Sequence, residues 1–121
     1  MKIYVAAPWA HKAEAHTAAE ALKAAGHTIT YPWWEHRDTQ DVVELRQQAQ
    51  EDQMGVLNAH VFVLLNLCLS TGGKEVESGI ALTKSLRCFL VGKRSNVFHY
   101  LPQWTIVDSL DAVLYALDFQ M

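Results

Sequence analysis

The chain is poor in the residues that staple, break or anchor a polypeptide. Two cysteines in 121 residues, Cys68 and Cys88, are too few for a disulfide framework, and they have no metal-site spacing. Three prolines and six glycines leave room for uninterrupted elements. No apolar stretch approaches the roughly 20 residues of a membrane span. The longest good candidate, residues 61–65, is strand-sized. Positive charge is scarce as well: ten Lys and Arg stand against thirteen Asp and Glu, a formal net charge of -3. That leaves no basic footprint for a nucleic-acid polymer. The opening Met1-Lys2-Ile3-Tyr4 runs straight into an apolar segment and lacks a signal-peptide layout. What remains is an ordinary globular balance, 50% hydrophobic and 19% charged. A chain of this size buries about two-thirds of its surface on folding, enough for one core. The expectation is a soluble, cytoplasmic, single-domain protein with no membrane contact.

Periodicity then sets the order of elements. Residues 3–7 form an apolar run that Pro8 ends, as a buried strand would. From about residue 10 to 25 the chain is Ala-rich, with Ala15, Ala18, Ala19, Leu22 and Ala25 at helical spacing and Gly26 as the stop. Residues 27–31 alternate like a strand and end at Pro32; residues 33–38 read as a loop. A second helix is expected from Thr39 or Gln40 to Leu57, its polar middle at residues 47–53 fit for solvent or a pocket edge. Residues 61–65 give the clearest buried strand, 70–73 a turn, 74–84 a short helix and 87–91 another strand. A loop over 92–100, a short strand over 105–107 and a final helix capped by Asp108 or Ser109 complete the chain. Such alternation predicts a three-layer α/β/α, flavodoxin-like fold on a five-stranded parallel sheet. Its site would lie beyond the carboxyl ends of the strands.

The loops at those ends hold the candidates. Ser70-Thr71-Gly72-Gly73-Lys74-Glu75-Val76-Glu77 joins a strand to a helix start, where backbone N–H groups favour anions. Glu75 and Glu77 lie about 200° apart around a helix, so only one can face a pocket. The small Gly79 and Ala81 beside Glu77 put Glu77 inward, ionised near the helix start, and Glu75 in solvent. The competing reading is a surface carboxylate that complements the helix dipole. The Gly72-Gly73-Lys74 turn is a candidate phosphate cradle, yet it is no Walker loop, and a plain tight turn explains it better. Asp52 ends the polar helix as a second carboxylate, with a solvated helix charge as its alternative. Trp9, Trp33 and Trp34 follow the first two strands, where indoles can stack on a flat heterocycle or serve as core. The six histidines show no metal spacing, so no metal is expected; His27 and His60 read as structural, and His36 and His99 lie on the site side. Cys68 reads as a small hydrophobe near the site.

Three of these segments resemble one family. Lys2-Ile3-Tyr4-Val5-Ala6-Ala7-Pro8-Trp9 is similar to the opening strand and loop of nucleoside 2-deoxyribosyltransferases. Glu77-Ser78-Gly79-Ile80-Ala81 resembles their Glu-x-Gly-x-Ala nucleophile segment, and Asp52 before Leu57-Asn58-Ala59 resembles their helix-borne Asp. The superfamily includes deoxynucleoside 5′-monophosphate N-glycosidases. The resemblance implies that Glu77 attacks the anomeric carbon, Tyr4 orients it and Asp52 protonates the leaving base. It also implies that Trp9 lines the base pocket, that Ser70 lies near the sugar 5′ side, and that Ser95 or Asn96 belongs to a loop offered to a neighbouring subunit; Trp33 and Gly72, read from the loops alone, join them as candidate substrate contacts. The implied ligand is a deoxynucleoside or deoxynucleotide, without cofactor, in a homodimer or larger homo-oligomer. The implied chemistry matches the residues, since a retaining displacement at a sugar needs two carboxylates. Two segments depart from the pattern. The loop 67–73 has no acidic residue, and Pro8-Trp9-Ala10-His11-Lys12 lacks the Gly, Ser and Arg of the monophosphate enzymes. Base exchange is therefore the leading expectation, monophosphate hydrolysis the second, and a non-catalytic nucleotide-binding module the third.

Overall fold

A computed structural model describes residues 1–68 and 72–118. Five strands, β1 (Lys2–Ala6), β2 (Thr28–Ile29), β3 (Val61–Asn66), β4 (Arg87–Gly92) and β5 (Trp104–Val107), form one sheet in the order β2-β1-β3-β4-β5. All four pairings are parallel. Helices α1 (Lys12–Ala24), α2 (Val42–Leu57), α3 (Gly73–Thr83) and α4 (Leu110–Asp118) cover it in the three-layer flavodoxin-like arrangement. Short 3-10 turns at Trp9–His11, Trp33–Glu35 and Val97–Tyr100 occupy what the sequence suggested were helix start or loop. None of the described helices is long and apolar enough to cross a membrane.

The layers follow from the residues. β3 is buried along its whole length, because helices cover both faces of a central parallel strand. The register aligns Tyr4 with Phe62, Cys88 and Trp104 across four strands, and Val5 with Val63 and Phe89 on the opposite face. α1 buries Ala15, Ala18, Ala19 and Leu22, a stripe of mostly small residues that lets the helix lie close to the sheet. It stops where Gly26 takes φ +96°, a conformation costly to a side chain. Asp41 starts α2, later than expected: its carboxylate accepts from the backbone N–H of Val43 at 2.8 Å and of Glu44 at 3.2 Å. Ser109, the second of the two expected caps, accepts from the Ala112 N–H at 3.4 Å.

β2 is shorter than the strand expected over 27–31. Thr30 still donates its N–H to the Ile3 carbonyl at 2.9 Å, but its hydroxyl turns to the Gly55 carbonyl at 2.7 Å. From there the chain leaves the sheet edge, and Tyr31 points to His36 instead of continuing the ladder.

One contact between α2 and the sheet fixes the geometry beneath the strand ends. Gly55 lies against Tyr4 and Tyr31. A Cβ there would sit 2.7 Å from the Tyr31 Cβ and 2.9 Å from the Tyr4 ring. Such overpacking costs about 1–3 kcal/mol. Gly55→Ala should lower unfolding stability by that amount in urea titrations, and it should move the Tyr4 ring.

Candidate active site

Beyond the carboxyl ends of β1 and β3, between α2 and α3, lies a cavity of about 630 Å³. The β1 loop contributes Ala7, Pro8, Trp9 and Ala10, and the turn after β2 contributes Trp33 and His36. α2 adds Leu45, Gln48, Ala49 and Asp52, while Cys68, Gly73, Lys74 and Glu77 close the far side. The polar middle of α2 is thus the pocket edge that its composition suggested. A second cavity of about 420 Å³ runs between α2 and α3 and shares Ala49, Asp52, Gly73 and Glu77. Both carboxylates therefore stand where the two spaces meet.

Glu77 faces inward, but of the two small residues behind that expectation only Ala81 is buried; Gly79 is exposed with open space around it. The Tyr4 hydroxyl, wholly buried at the centre of the sheet, donates to Glu77 Oε2 at 2.6 Å. The ring of Tyr4 is held parallel to that of Phe62, their centroids 6.0 Å apart. Ser78 and Ala81, both buried, fix the same face of α3 on the sheet. The expectation that the helix start would hold Glu77 ionised does not survive. Glu77 is the fifth residue of α3, beyond the reach of most of the dipole. Burial pushes its pKa up to about 8, against the hydrogen bond from Tyr4, and the charge of Asp52 adds to the rise. Burial and the neighbouring Glu77 and Asp52 also raise Tyr4 far above a normal phenol, so its hydroxyl remains a donor.

Asp52 sits across the cavity with its pKa pushed up to about 7, by burial first and by the charge of Glu51 second. Its Oδ1 is enclosed and has no hydrogen-bond partner among the described residues. His36 Nδ1 lies 3.8 Å from it. Two adjacent carboxyl groups thus titrate near neutrality and interact, which makes them a coupled pair.

The aromatic wall divides its labour. Trp33 is buried and donates its indole N–H to the Val5 carbonyl at 2.6 Å, so it is chiefly structural with one surface on the cavity. Trp34 is buried beside it and does not line the cavity. Trp9 is exposed, 6.1 Å from Trp33 between ring centres, with the Lys12 ammonium 4.5 Å over its ring. A flat ligand can reach Trp9 without breaking the core.

Other candidates fall elsewhere. Glu75 is not in solvent: it accepts from Lys74 Nζ at 2.7 Å and from Asn96 Nδ2 at 2.8 Å. Ser95 and Asn96 do not line the cavity of their own chain; the Ser95 hydroxyl accepts from Asn66 Nδ2 at 3.0 Å. Gly72 sits at the N-cap of α3 with φ +137°, beside the cavity and not on its wall. Ser70 lies outside the described residues. His99, expected on the site side, is buried; its Nδ1 accepts from the Ser95 N–H at 2.9 Å and its ring meets Trp104 edge-on. His27 and His60 bind the amino terminus and the Lys2 N–H, structural roles as expected. His11 pairs with Glu14. No group of three or more His, Cys, Asp or Glu able to hold a metal occurs among the described residues.

The turn holding Lys74 was a candidate, but the enclosure of its side chain was not foreseen. Its ammonium is almost wholly enclosed at the cavity wall, donating to Asn66 Oδ1 at 2.9 Å and to Glu75. The sequence offered no signal, because the pairing depends on where β3 ends. Gly55 did leave one: an isolated glycine inside a helical pattern marks a close approach.

Comparison of the chain with protein-family models, curated proteins and solved structures finds no match.

The raised pKa of Glu77 makes a stability prediction. A carboxyl group raised in the folded state is tolerated in full below its ordinary pKa of 4.5, and its contribution is lost as pH climbs through about 8. Glu77→Gln keeps an acceptor for the Tyr4 hydroxyl and carries no charge. Its melting temperature should equal that of the wild type near pH 4 and exceed it above pH 8, by several degrees in calorimetry.

Proposed function

We propose that the protein cleaves the N-glycosidic bond of a 2′-deoxynucleoside and transfers the sugar to another base, as the resemblance to nucleoside 2-deoxyribosyltransferases implies. The observation that carries this reading is the Tyr4–Glu77 hydrogen bond facing Asp52 across one aromatic-walled cavity. Tyr4 engages Oε2 and leaves Oε1 for the sugar. In the first displacement Glu77 Oε1 bonds to the anomeric carbon and the carbon–nitrogen bond breaks. Its electron pair goes to the base, which takes the proton of Asp52. In the second, a nitrogen of the incoming base bonds to the same carbon, its proton returns to Asp52 and Glu77 is released. Two inversions give retention, the logic of retaining glycosidases. The reactive state has Glu77 ionised and Asp52 protonated; with Glu77 raised to about 8 and Asp52 to about 7, the single proton the pair carries between those values lies mostly on Glu77, so the reactive state is the minor form of the pair.

The cationic groups around the cavity favour an uncharged nucleoside over its 5′-monophosphate. Lys74 is held by Asn66 and Glu75, His11 is engaged with Glu14, and Lys12 covers Trp9. We infer a homodimer or larger homo-oligomer, supported by the exposed Val97, Phe98 and Tyr100 on the loop after β4.

Incubation with a deoxynucleoside and a different free base should yield the exchanged deoxynucleoside, with kcat/KM bell-shaped around pH 7 to 8. Glu77→Ala should give no detectable exchange, and Asp52→Asn should lower kcat about 10²- to 10⁴-fold. Free deoxyribose or its 5-phosphate as the sole sugar product would identify a hydrolase instead. No turnover of any deoxynucleoside or deoxynucleotide would leave a binding module. Sedimentation equilibrium at micromolar concentration should show an oligomer; monomer alone would contradict the assembly.

A further inference from the structure

Gln48 stands on the cavity wall one helical turn before Asp52, and neither displacement uses it. Leu45, Gln48, Ala49 and Asp52 all line the cavity, at the i, i+3, i+4 and i+7 positions of one face of α2. Side chains four apart on a helix have Cβ atoms about 5–6 Å from each other, so Gln48 and Asp52 can reach neighbouring atoms of one bound ring. Trp9 offers that ring a flat surface in the same cavity.

The amide of Gln48 is held in one sense. Its Nε2 donates to the backbone carbonyl of Arg37 at 3.0 Å. A carbonyl only accepts, so the NH₂ group has to face it and the amide cannot be turned over. That carbonyl is itself anchored. The Arg37 guanidinium forms a two-pronged pair with Glu44 in the first turn of α2, Nε to Oε1 at 2.8 Å and Nη2 to Oε2 at 2.6 Å. The Thr39 hydroxyl donates to the same Oε2 at 3.0 Å. Arg37 thus holds α2 twice, at Glu44 and one turn later at Gln48. Gln48 Oε1 has no hydrogen-bond partner among the described residues and stays available to a ligand. Lys74 spends its ammonium on Asn66 and Glu75, and the His36 ring donates or accepts according to its tautomer. Gln48 supplies a neutral acceptor whose sense is settled before a ligand arrives.

We propose that Gln48 sets the base preference: its amide oxygen accepts from an exocyclic amino group while Asp52, one turn on, donates to the adjacent ring nitrogen, so the cavity selects a 6-aminopurine over a 6-oxopurine. The inference rests on reading the cavity as a nucleobase site with Asp52 as its acid. Adenine carries an acceptor, N7, and a donor, its 6-amino group, side by side on one edge. A protonated carboxyl and an amide oxygen complement that pair. A 6-oxopurine carries acceptors at both places. Its O6 would meet Gln48 Oε1 with no hydrogen between them. Presenting the NH₂ group instead would break the bond to the Arg37 carbonyl.

The test is a ¹H–¹⁵N NMR titration of the free protein at pH 6, below the Asp52 midpoint near 7, with adenine, unsubstituted purine and hypoxanthine in turn. Adenine should bind about fivefold or more tighter than purine, the worth of one neutral hydrogen bond, and hypoxanthine should bind more weakly still. Gln48→Met keeps the length of the side chain without its amide, and the three bases should then bind within about twofold of one another. Gln48 is half-buried and Met is a good helix former, so the variant should keep the backbone amide shifts of α2. A wild type that binds adenine and hypoxanthine equally, or binds neither, would overturn the proposal. So would an adenine preference that survives in Gln48→Met. These readouts need no turnover. A Gln48-dependent adenine preference without reaction of any deoxynucleoside would keep this inference and remove the transferase reading. Equal exchange of deoxyadenosine and deoxyinosine would do the reverse.

Discussion

A phenol donating to a carboxyl group inside the protein places demands on everything around it. The Tyr4 hydroxyl reaches Glu77 from the middle of a parallel sheet, where the phenol is wholly buried and takes the carboxyl group as its partner. The ring must be aimed, and Phe62 stacked on one side and the bare backbone of Gly55 on the other aim it. α3 must bring Glu77 down onto the sheet, which Ser78 and Ala81 allow by being small and buried. Glu77 must also bear the cost of enclosure, and it does so by holding its proton up to about pH 8. Elsewhere in the fold a buried protonated carboxyl would be a liability. Here it lies at a cavity wall, at the strand ends where parallel sheets gather their ligands.

The second carboxyl group makes that cost intelligible. Asp52 is also raised, to about 7, by burial and the charge of Glu51, and its own charge adds to the rise of Glu77. The pair holds one proton between about pH 7 and 8, mostly on Glu77, and the proposed displacement at a sugar carbon needs that proton moved to Asp52 so that one group attacks and the other protonates. The indole of Trp9, exposed and backed by the fixed Trp33, offers a flat surface on the same cavity. A nucleobase fits the combination of an apolar face and an acid at its edge. The network of Lys74, Glu75, Asn66 and Asn96 ties the α3 start to the ends of β3 and β4. It gives the site a rigid floor.

What could be read from the sequence, and what could not, divides along physical lines. The alternation of apolar runs fixed five strands and four helices in order, because burial on both faces of a parallel sheet leaves continuous hydrophobic segments. Glu77 was placed inward from Gly79 and Ala81, of which only Ala81 packs on the sheet, and the same reasoning failed for Glu75. Its partners come from Asn96, twenty-one residues away in the chain, and from Lys74, which turns inward to meet Asn66. The ionisation of Glu77 was misjudged because a local dipole was weighed and enclosure by β1 could not be. His99 looked like a site residue from its loop, yet Trp104 of the neighbouring strand claims it for the core. Tyr31 seemed to belong to an edge strand and proves to be a partner of His36. The Asn96–Glu75 contact joins elements far apart in sequence, while the Tyr31–His36 and His99–Trp104 contacts span only five residues and depend on the turns that fold them together, which composition and spacing do not signal.

The central claim is that Glu77, steadied by Tyr4, becomes covalently bonded to the sugar. The most direct measurement is peptide mass mapping of enzyme quenched in acid during turnover of a deoxynucleoside. The peptide containing Glu77 should gain the mass of one deoxyribosyl group, and the gain should vanish when excess free base is added before quenching. An unmodified Glu77 peptide under conditions of steady turnover, or an adduct carried by a different residue, would contradict it.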